Sequence, residues 1–373
     1  MEPASKSKES YTLSPYLVFF LMYVSMVGVG VLDFQRDLSE AAGYNAWISM
    51  LLSGISIHVV LWMMCKILHD QPADLMSINC SCFGKMLGSV INFGIIVYFF
   101  LGAFVTFRGY MAIVKVWLFP DMNMLPVTIL IAVLICYTVS GGLRSVAGLC
   151  FWGVVCSFLF VIPLNFLAIP YLHPQNLLPL YERTPAEIYN GFKCMIFQYL
   201  GIETLMLYYP LVPSQAKAQK WAQAALLTAT IFYLMIVLVT FMFYTQGQLS
   251  EIAWPTLHLI MILELPLFQR LEYFVISVLF IKIAANVALT IWAACRGAKQ
   301  AWNMKMSVSL LAFMIGFIAL QIVINEGGRS KQLIEWYSNV GYYFIYVYIP
   351  VLFVWVQIRS KLRTKLTGAE PSQ

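Results

Sequence analysis

Charge is what this sequence has least of. Only 11% of its 373 residues are Asp, Glu, Lys or Arg, while 61% are hydrophobic. A soluble domain carries about 25% charged residues, so charge is too scarce to coat a water-exposed surface of this size. That excludes a soluble globular protein. Metal-ligand spacing is also missing. The eight cysteines are scattered, and Cys65, Cys136, Cys150, Cys156, Cys194 and Cys295 lie in apolar runs, where cysteine behaves as a small hydrophobe. Cys80 and Cys82 are the only close pair, and no Cys-x-x-Cys or Cys/His zinc pattern occurs, so no metal site is expected. A phosphate loop, a Ser-His-Asp set, paired catalytic carboxylates and a dinucleotide fingerprint are all absent. Neither an enzyme nor a bound cofactor is therefore expected. Without a linker or a shift in composition, residues 1–373 read as a single integral membrane domain.

What is present is a series of apolar runs. A helix needs about 20 apolar residues to cross about 30 Å of hydrocarbon. Ten spans meet or approach this, giving an all-α membrane fold of ten transmembrane helices. They run from Thr12 to about Leu32, Ala46 to Cys65, Leu87 to Trp117, Leu125 to Val139, and Val146 to Ala168. The second five are Tyr189 to Val212, Ala224 to Tyr244, Phe274 to Cys295, Val308 to Ile324, and Gly341 to Ile358. The two sets make five-helix repeats over 12–168 and 189–358, flanked by segments 1–11 and 359–373. Lys6 and Lys8 precede the first run, but Asp33, Arg36 and Asp37 follow it and no small-x-small cleavage site appears. It is expected to be a retained span rather than a signal peptide.

The net charge of +6 is topological and carries no nucleic-acid signal. With the N-terminus inside, fourteen Lys/Arg fall on cytoplasmic segments, five on the opposite side and four within spans. The positive-inside rule then places both termini in the cytoplasm. The tail Arg359-Ser-Lys-Leu-Arg-Thr-Lys365 is the topogenic end of the last span, with anionic lipid or a cytoplasmic partner as the alternative. Leu257 to Leu265 is apolar but too short to cross, and is expected to be a re-entrant or surface-lying helix.

Two spans carry marks of interruption. The first contains Met26-Val-Gly-Val-Gly-Val31, the sixth Gln198-Tyr-Leu-Gly-Ile-Glu203. Glycine weakens a helix and permits other backbone angles. An odd number of spans per half inverts the second half relative to the first. Interruptions at matching places in inverted halves point to a transporter-type binding site. A broken helix offers free N–H groups to an anion at one half-helix end and free carbonyls to a cation at the other, which suits both charged ends of an amino acid. The plain alternative is that Gly28, Gly30 and Gly201 only permit close packing. Glu203 and Lys282 are the sharpest single residues, because a mid-span charge costs about 2.5–3.5 kcal/mol and normally faces the bundle interior with a partner. Lys282, Asn286 and Thr290 share one helical stripe at i, i+4 and i+8. The stripe is expected to face spans one and six, with Lys282 near Glu203; a structural ion pair without a ligand role is the alternative. Arg108 and Lys115, toward the outer end of span three, are expected to snorkel, with a functional role as the alternative, and His58 to serve as a helix–helix contact or a proton relay.

Gly28-Val-Gly-Val-Leu-Asp-Phe-Gln-Arg36 in the first of ten spans, with Tyr199-Leu-Gly-Ile-Glu-Thr-Leu-Met-Leu-Tyr-Tyr-Pro210 in the sixth, resembles the B subunit of bacterial endospore germinant receptors. This is the spore germination permease family of the amino acid–polyamine–organocation superfamily. The resemblance covers nearly the whole chain. It implies a five-plus-five inverted repeat with broken helices 1 and 6, a multi-pass protein of the spore inner membrane, and a nutrient ligand, often an amino acid. It also implies partnership with a membrane A subunit and a lipoprotein C subunit. The implied ligand lining is Val27, Gly28, Val29 and Gly30; Tyr199, Leu200, Gly201, Ile202 and Glu203; and Lys282, Asn286 and Thr290. Superfamily transporters use a cation between spans one, five and eight, or a lysine on span five. Span five here has no lysine or carboxylate, which favours a sensor over the alternative of a secondary amino-acid transporter.

Overall fold

The structure, a computed structural model, describes residues 13–71, 73–179, 183–262, 270–324 and 327–367. The N-terminal segment with Lys6 and Lys8, the first residue of span one, residues 263–265 and the last six residues of the tail lie outside the described residues. Among the described residues every regular element is helical. All ten apolar segments expected from the sequence coincide with helix, and seven helical stretches are long and apolar enough to cross a membrane.

Span one consists of α1 (Leu17–Met26), a 3-10 turn (Val29–Leu32) and α2 (Phe34–Ala42). The expected end at Leu32 is therefore too early. The rod continues for another ten residues because α2 is amphipathic: Phe34, Leu38 and Ala42 are buried at i, i+4 and i+8, while the charges that ended the apolar run lie on its other faces. Next come α3 (Ala46–Asp70) and α4 (Leu75–Trp117), which is broken at Gly84. Then follow α5 (Met124–Ser140), α6 (Gly142–Cys156), a π-helical turn (Ser157–Val161) and α7 (Ile162–Phe166).

The second half opens with α8 (Pro185–Tyr199), whose start is fixed by a reciprocal cap between Thr184 and Glu187. After a break come a 3-10 turn (Ile202–Thr204) and α9 (Leu205–Tyr208), then α10 (Gln215–Phe243), α11 (Gln246–Glu251), α12 (Pro255–Ile262), α13 (Leu271–Trp302) and α14 (Met306–Val323). Span ten comprises α15 (Gly327–Tyr343), a π-helical turn (Phe344–Tyr348) and α16 (Ile349–Thr367). It starts well before the expected Gly341, since Lys331, Gln332 and Glu335 interrupt the apolar run without interrupting the helix. Its end is tied to the start of span three, where Arg359 donates to the Ser81 carbonyl.

The helix α13 is the most enclosed of these rods: 72% of its apolar window is buried, against 28% for α14. Outer helices instead present large apolar side chains such as Leu130, Val133, Leu311 and Ile315 outward, as lipid solvation requires. The short α12 does not lie free. Its Thr256 hydroxyl donates to the Val31 carbonyl at 3.2 Å and accepts from Gln35 at 2.6 Å, docking it on the outer half of span one.

At Gly84 the backbone takes φ 82° and ψ 166°. This folds Leu75–Phe83 back on the rest of α4, where Asn79 donates to Asn92 at 2.8 Å and Asn92 to the Met76 carbonyl at 3.0 Å. A side chain at Gly84 would meet open space, so its cost is purely conformational. Gly84→Ala is expected to destabilise the fold by about 1–2 kcal/mol. Gly94→Ala, equally open but helical, is expected to be neutral or slightly stabilising. Thermal denaturation of the two variants in one detergent checks the contrast.

Candidate ligand-binding site at the two broken helices

The first break begins where α1 ends. Gly28 leaves the helix at φ −97°, ψ −146°, and its missing side chain faces open space. Gly30 is glycine for a different reason: a Cβ there would sit 2.3 Å from Oε1 of Gln198. The released carbonyls of α1 are met by side chains. Asn286 on α13 donates to Val24 at 2.7 Å and Ser25 at 3.1 Å. The Tyr233 hydroxyl on α10 stands 3.1 Å from the Met26 carbonyl and 3.0 Å from that of Gln198. One side chain thus bridges the inner ends of both breaks. The 3-10 turn that follows begins with N–H groups, from Val29 onward, that have no helical acceptor.

The second break is at Leu200 and Gly201. Gly201 has φ 112°, and a Cβ would lie 2.3 Å from the Ser25 carbonyl, so both backbone angle and close approach to span one require glycine. The fully buried Glu203 serves this break. Its Oε2 accepts from the Gly201 N–H at 2.8 Å, and its Oε1 accepts from the Tyr98 hydroxyl. Tyr98 stacks between Tyr337, with ring centroids 4.9 Å apart, and Phe344, at 5.3 Å. The second half of span six thus already carries its own acceptor.

Between the breaks lies a cavity of about 120 Å³. Of the residues expected from the sequence, Gly28, Val29, Gly30, Leu200, Gly201, Asn286 and Thr290 line it. Val27, Tyr199, Ile202, Glu203 and Lys282 are packed behind the wall. Tyr199 points away, with its hydroxyl 3.1 Å from that of Thr230. The wall also contains residues outside the expected set, among them Asp33, Gln198 and Tyr337. By hydropathy Asp33 lies past the end of span one, but the Phe34–Leu38–Ala42 repeat, buried in the structure, carries the helix beyond it. Tyr337 lies on the polar part of α15 that hydropathy passes over.

Lys282 does not meet Glu203. Its ammonium sits over the Tyr23 ring at 5.0 Å and near the Phe232 ring at 5.9 Å. Among the described residues no carboxylate lies within 4 Å of it. Gly153 of α6 packs so closely that a Cβ would stand 3.1 Å from the Lys282 Cα, and Phe158 meets Tyr23 edge-on at 5.2 Å. The lysine therefore occupies a junction of spans one, five, seven and eight. Arg108 does not snorkel: it is buried and donates to Gln321 at 3.3 Å and Ser330 at 3.4 Å. His58 contacts Gln223 across α3 and α10, a helix–helix contact.

Removing the Glu203 carboxylate strands two buried donors, each worth about 1–3 kcal/mol. Glu203→Leu is expected to destabilise by about 2–6 kcal/mol and Glu203→Gln by less, because an amide oxygen still accepts one bond. Lys282→Met replaces a buried amino group that has no carboxylate partner among the described residues by an apolar side chain of similar length, and is expected to leave stability unchanged or raised. The double exchange Glu203→Lys with Lys282→Glu is expected to show no rescue. Thermal denaturation of these variants, with the single swaps Glu203→Lys and Lys282→Glu as comparators for the double exchange, reads all of this.

Comparison with known proteins agrees with this architecture. A family model described as "Spore germination protein" matches residues 12–328. The chain is 35% identical over 353 residues to spore germination protein GerQB of Bacillus cereus, covering 95% of this chain and 98% of that one. It is 21% identical over 356 residues to spore germination protein B2 of Bacillus subtilis (strain 168), covering 94% and 95%. Among solved structures, a Na+-coupled sialic acid symporter in a substrate-bound outward-open state superposes with a TM-score of 0.64 at 10% identity, over 90% of this chain and 79% of that one. A manganese transporter of Eremococcus coleocola follows at 0.60 and 12%, over 95% and 80%. At these identities the likeness concerns the fold: an all-α membrane fold like that of these transporters. By the family match and the full-length relatedness to GerQB, the chain belongs to the spore germination protein family.

Proposed function

We propose that this chain is the nutrient-sensing subunit of a spore germinant receptor, and that it binds a small amino acid in the cavity between the two broken helices. The cavity itself is the observation that carries the reading. Its volume of about 120 Å³ is comparable to the ~150 Å³ engineered cavity that holds benzene, a ligand of amino-acid rather than nucleoside size. The N–H groups opening the 3-10 turn at Val29 suit a carboxylate, and the second break is already capped by Glu203. A ligand there would touch span one, span six and, through Tyr337, span ten. Binding one arrangement of these rods more tightly than another shifts their populations, and the A and C subunits of the receptor would read that shift in the spore inner membrane. Both termini are assigned to the cytoplasm by the basic-residue bias.

Sensing is favoured over ion-coupled flux by Lys282. The junction of spans one, five and eight, where the superfamily resemblance implies a coupling cation, is filled here by the chain's own ammonium.

Gly28→Trp tests the site, because the open space beside Gly28 would be filled by the indole. Stabilisation of the purified chain by amino acids in a thermal-shift screen is expected to vanish in this variant; undiminished stabilisation would move the site elsewhere. In proteoliposomes the wild-type chain is expected to bind without accumulating the same amino acid. Saturable uptake would establish the transporter reading instead.

A further inference from the structure

Asp33 is the one carboxyl side chain in the wall of this cavity; beyond its own backbone N–H, its carboxyl has no hydrogen-bond or ion-pair partner among the described residues. It stands at the N-terminus of α2 without capping it. The charge that acts on it is that of a neighbouring acid, Asp37, while Arg36 pairs with Glu40 at 3.1 Å and Lys331 lies by Asp37. Facing the same space is Gln198, only 6% exposed, whose side-chain amide lies against Gly30 and makes no hydrogen bond among the described residues. Two polar groups facing one cleft with spare hydrogen-bonding capacity favour a ligand that completes them, and an ionisable side chain at membrane depth marks a functional site.

We propose that Asp33 and Gln198 form an amine-recognition subsite, so that the ligand must carry a primary ammonium and uncharged or purely anionic nutrients are rejected. This rests on the cavity being the ligand site, and it names the chemistry read there. The carboxylate is the complement of an ammonium, and the Gln198 amide oxygen supplies a second acceptor. A ligand lacking the ammonium leaves both acceptors stranded in the complex, which is how a polar site discriminates strongly. A carboxylate-only ligand adds like-charge repulsion against Asp33.

The test uses the purified full-length chain, with the twenty L-amino acids, the 2-hydroxy acids that replace the ammonium by hydroxyl, and uncharged nucleosides as probes. Thermal shift identifies binders and calorimetry gives Kd. The expected result is binding of one or more amino acids, no binding of the hydroxy acids or nucleosides, and an affinity roughly 10- to 100-fold weaker in Asp33→Asn, the loss of one charge-assisted hydrogen bond. Discrimination between the bound amino acid and its hydroxy analogue should collapse in the same variant, which a merely structural role would not produce. The apo melting point of Asp33→Asn serves as the folding control, and is expected at or above the wild-type value. The proposal is overturned if a hydroxy acid or nucleoside binds the wild type as well as any amine. It also fails if no amino acid binds, or if Asp33→Asn keeps both affinity and discrimination. Loss of binding in Gly28→Trp with full binding in Asp33→Asn would sink the role of Asp33 alone; binding that survives Gly28→Trp would sink the site itself.

Discussion

Backbone that leaves a helix inside hydrocarbon has no water to fall back on, and each unmatched N–H or carbonyl there costs several kcal/mol. The organisation of this protein follows from meeting that constraint twice. At the first break the donors come from other spans: Asn286 serves the carbonyls of Val24 and Ser25, and Tyr233 stands between Met26 and Gln198. At the second the acceptor comes from within, Glu203 taking the Gly201 N–H. Thr256 then secures the outer half of span one through the Val31 carbonyl. Each of these partners also fixes a position, so that α10, α12 and α13 are registered against the breaks by the groups that satisfy them.

The three acidic or basic groups that matter most show how differently one charge can be used. Glu203 is enclosed and doubly bonded, which makes it part of the scaffold. Lys282 is enclosed without a counterion, its ammonium held against the face of Tyr23; cation–π attraction of this kind strengthens when desolvated. Asp33 stands at the cavity wall with no basic side chain beside it in that wall. A pairing argument from cost alone joins the first two, since each needs a partner. The fold resolves the problem by other means, giving Glu203 a tyrosine and a backbone amide, and Lys282 an aromatic face.

Tyr337 links the cavity to this scaffold. Its hydroxyl occupies room that exists only because residue 102 is glycine, and its ring stacks on Tyr98, which in turn holds Glu203. The cavity and the cap of span six are thus separated by two rings, a short mechanical path.

Chain composition and apolar run length decided the membrane class, the helical fold and the approximate place of ten rods, because hydrocarbon imposes the same length and polarity on any crossing segment. The glycines also marked both breaks, since few other residues adopt φ 112° or tolerate a carbonyl at 2.3 Å. Only the tertiary structure decided which side chains face the cavity. Lys282 and Asn286 lie one turn apart on the same stripe, yet the first turns into an aromatic cage and the second reaches the break. Asp33 enters the wall because α2 continues past the charges that end the apolar run. Facing is set by how rods from distant parts of the chain are rotated and packed against each other, and no local pattern records that rotation.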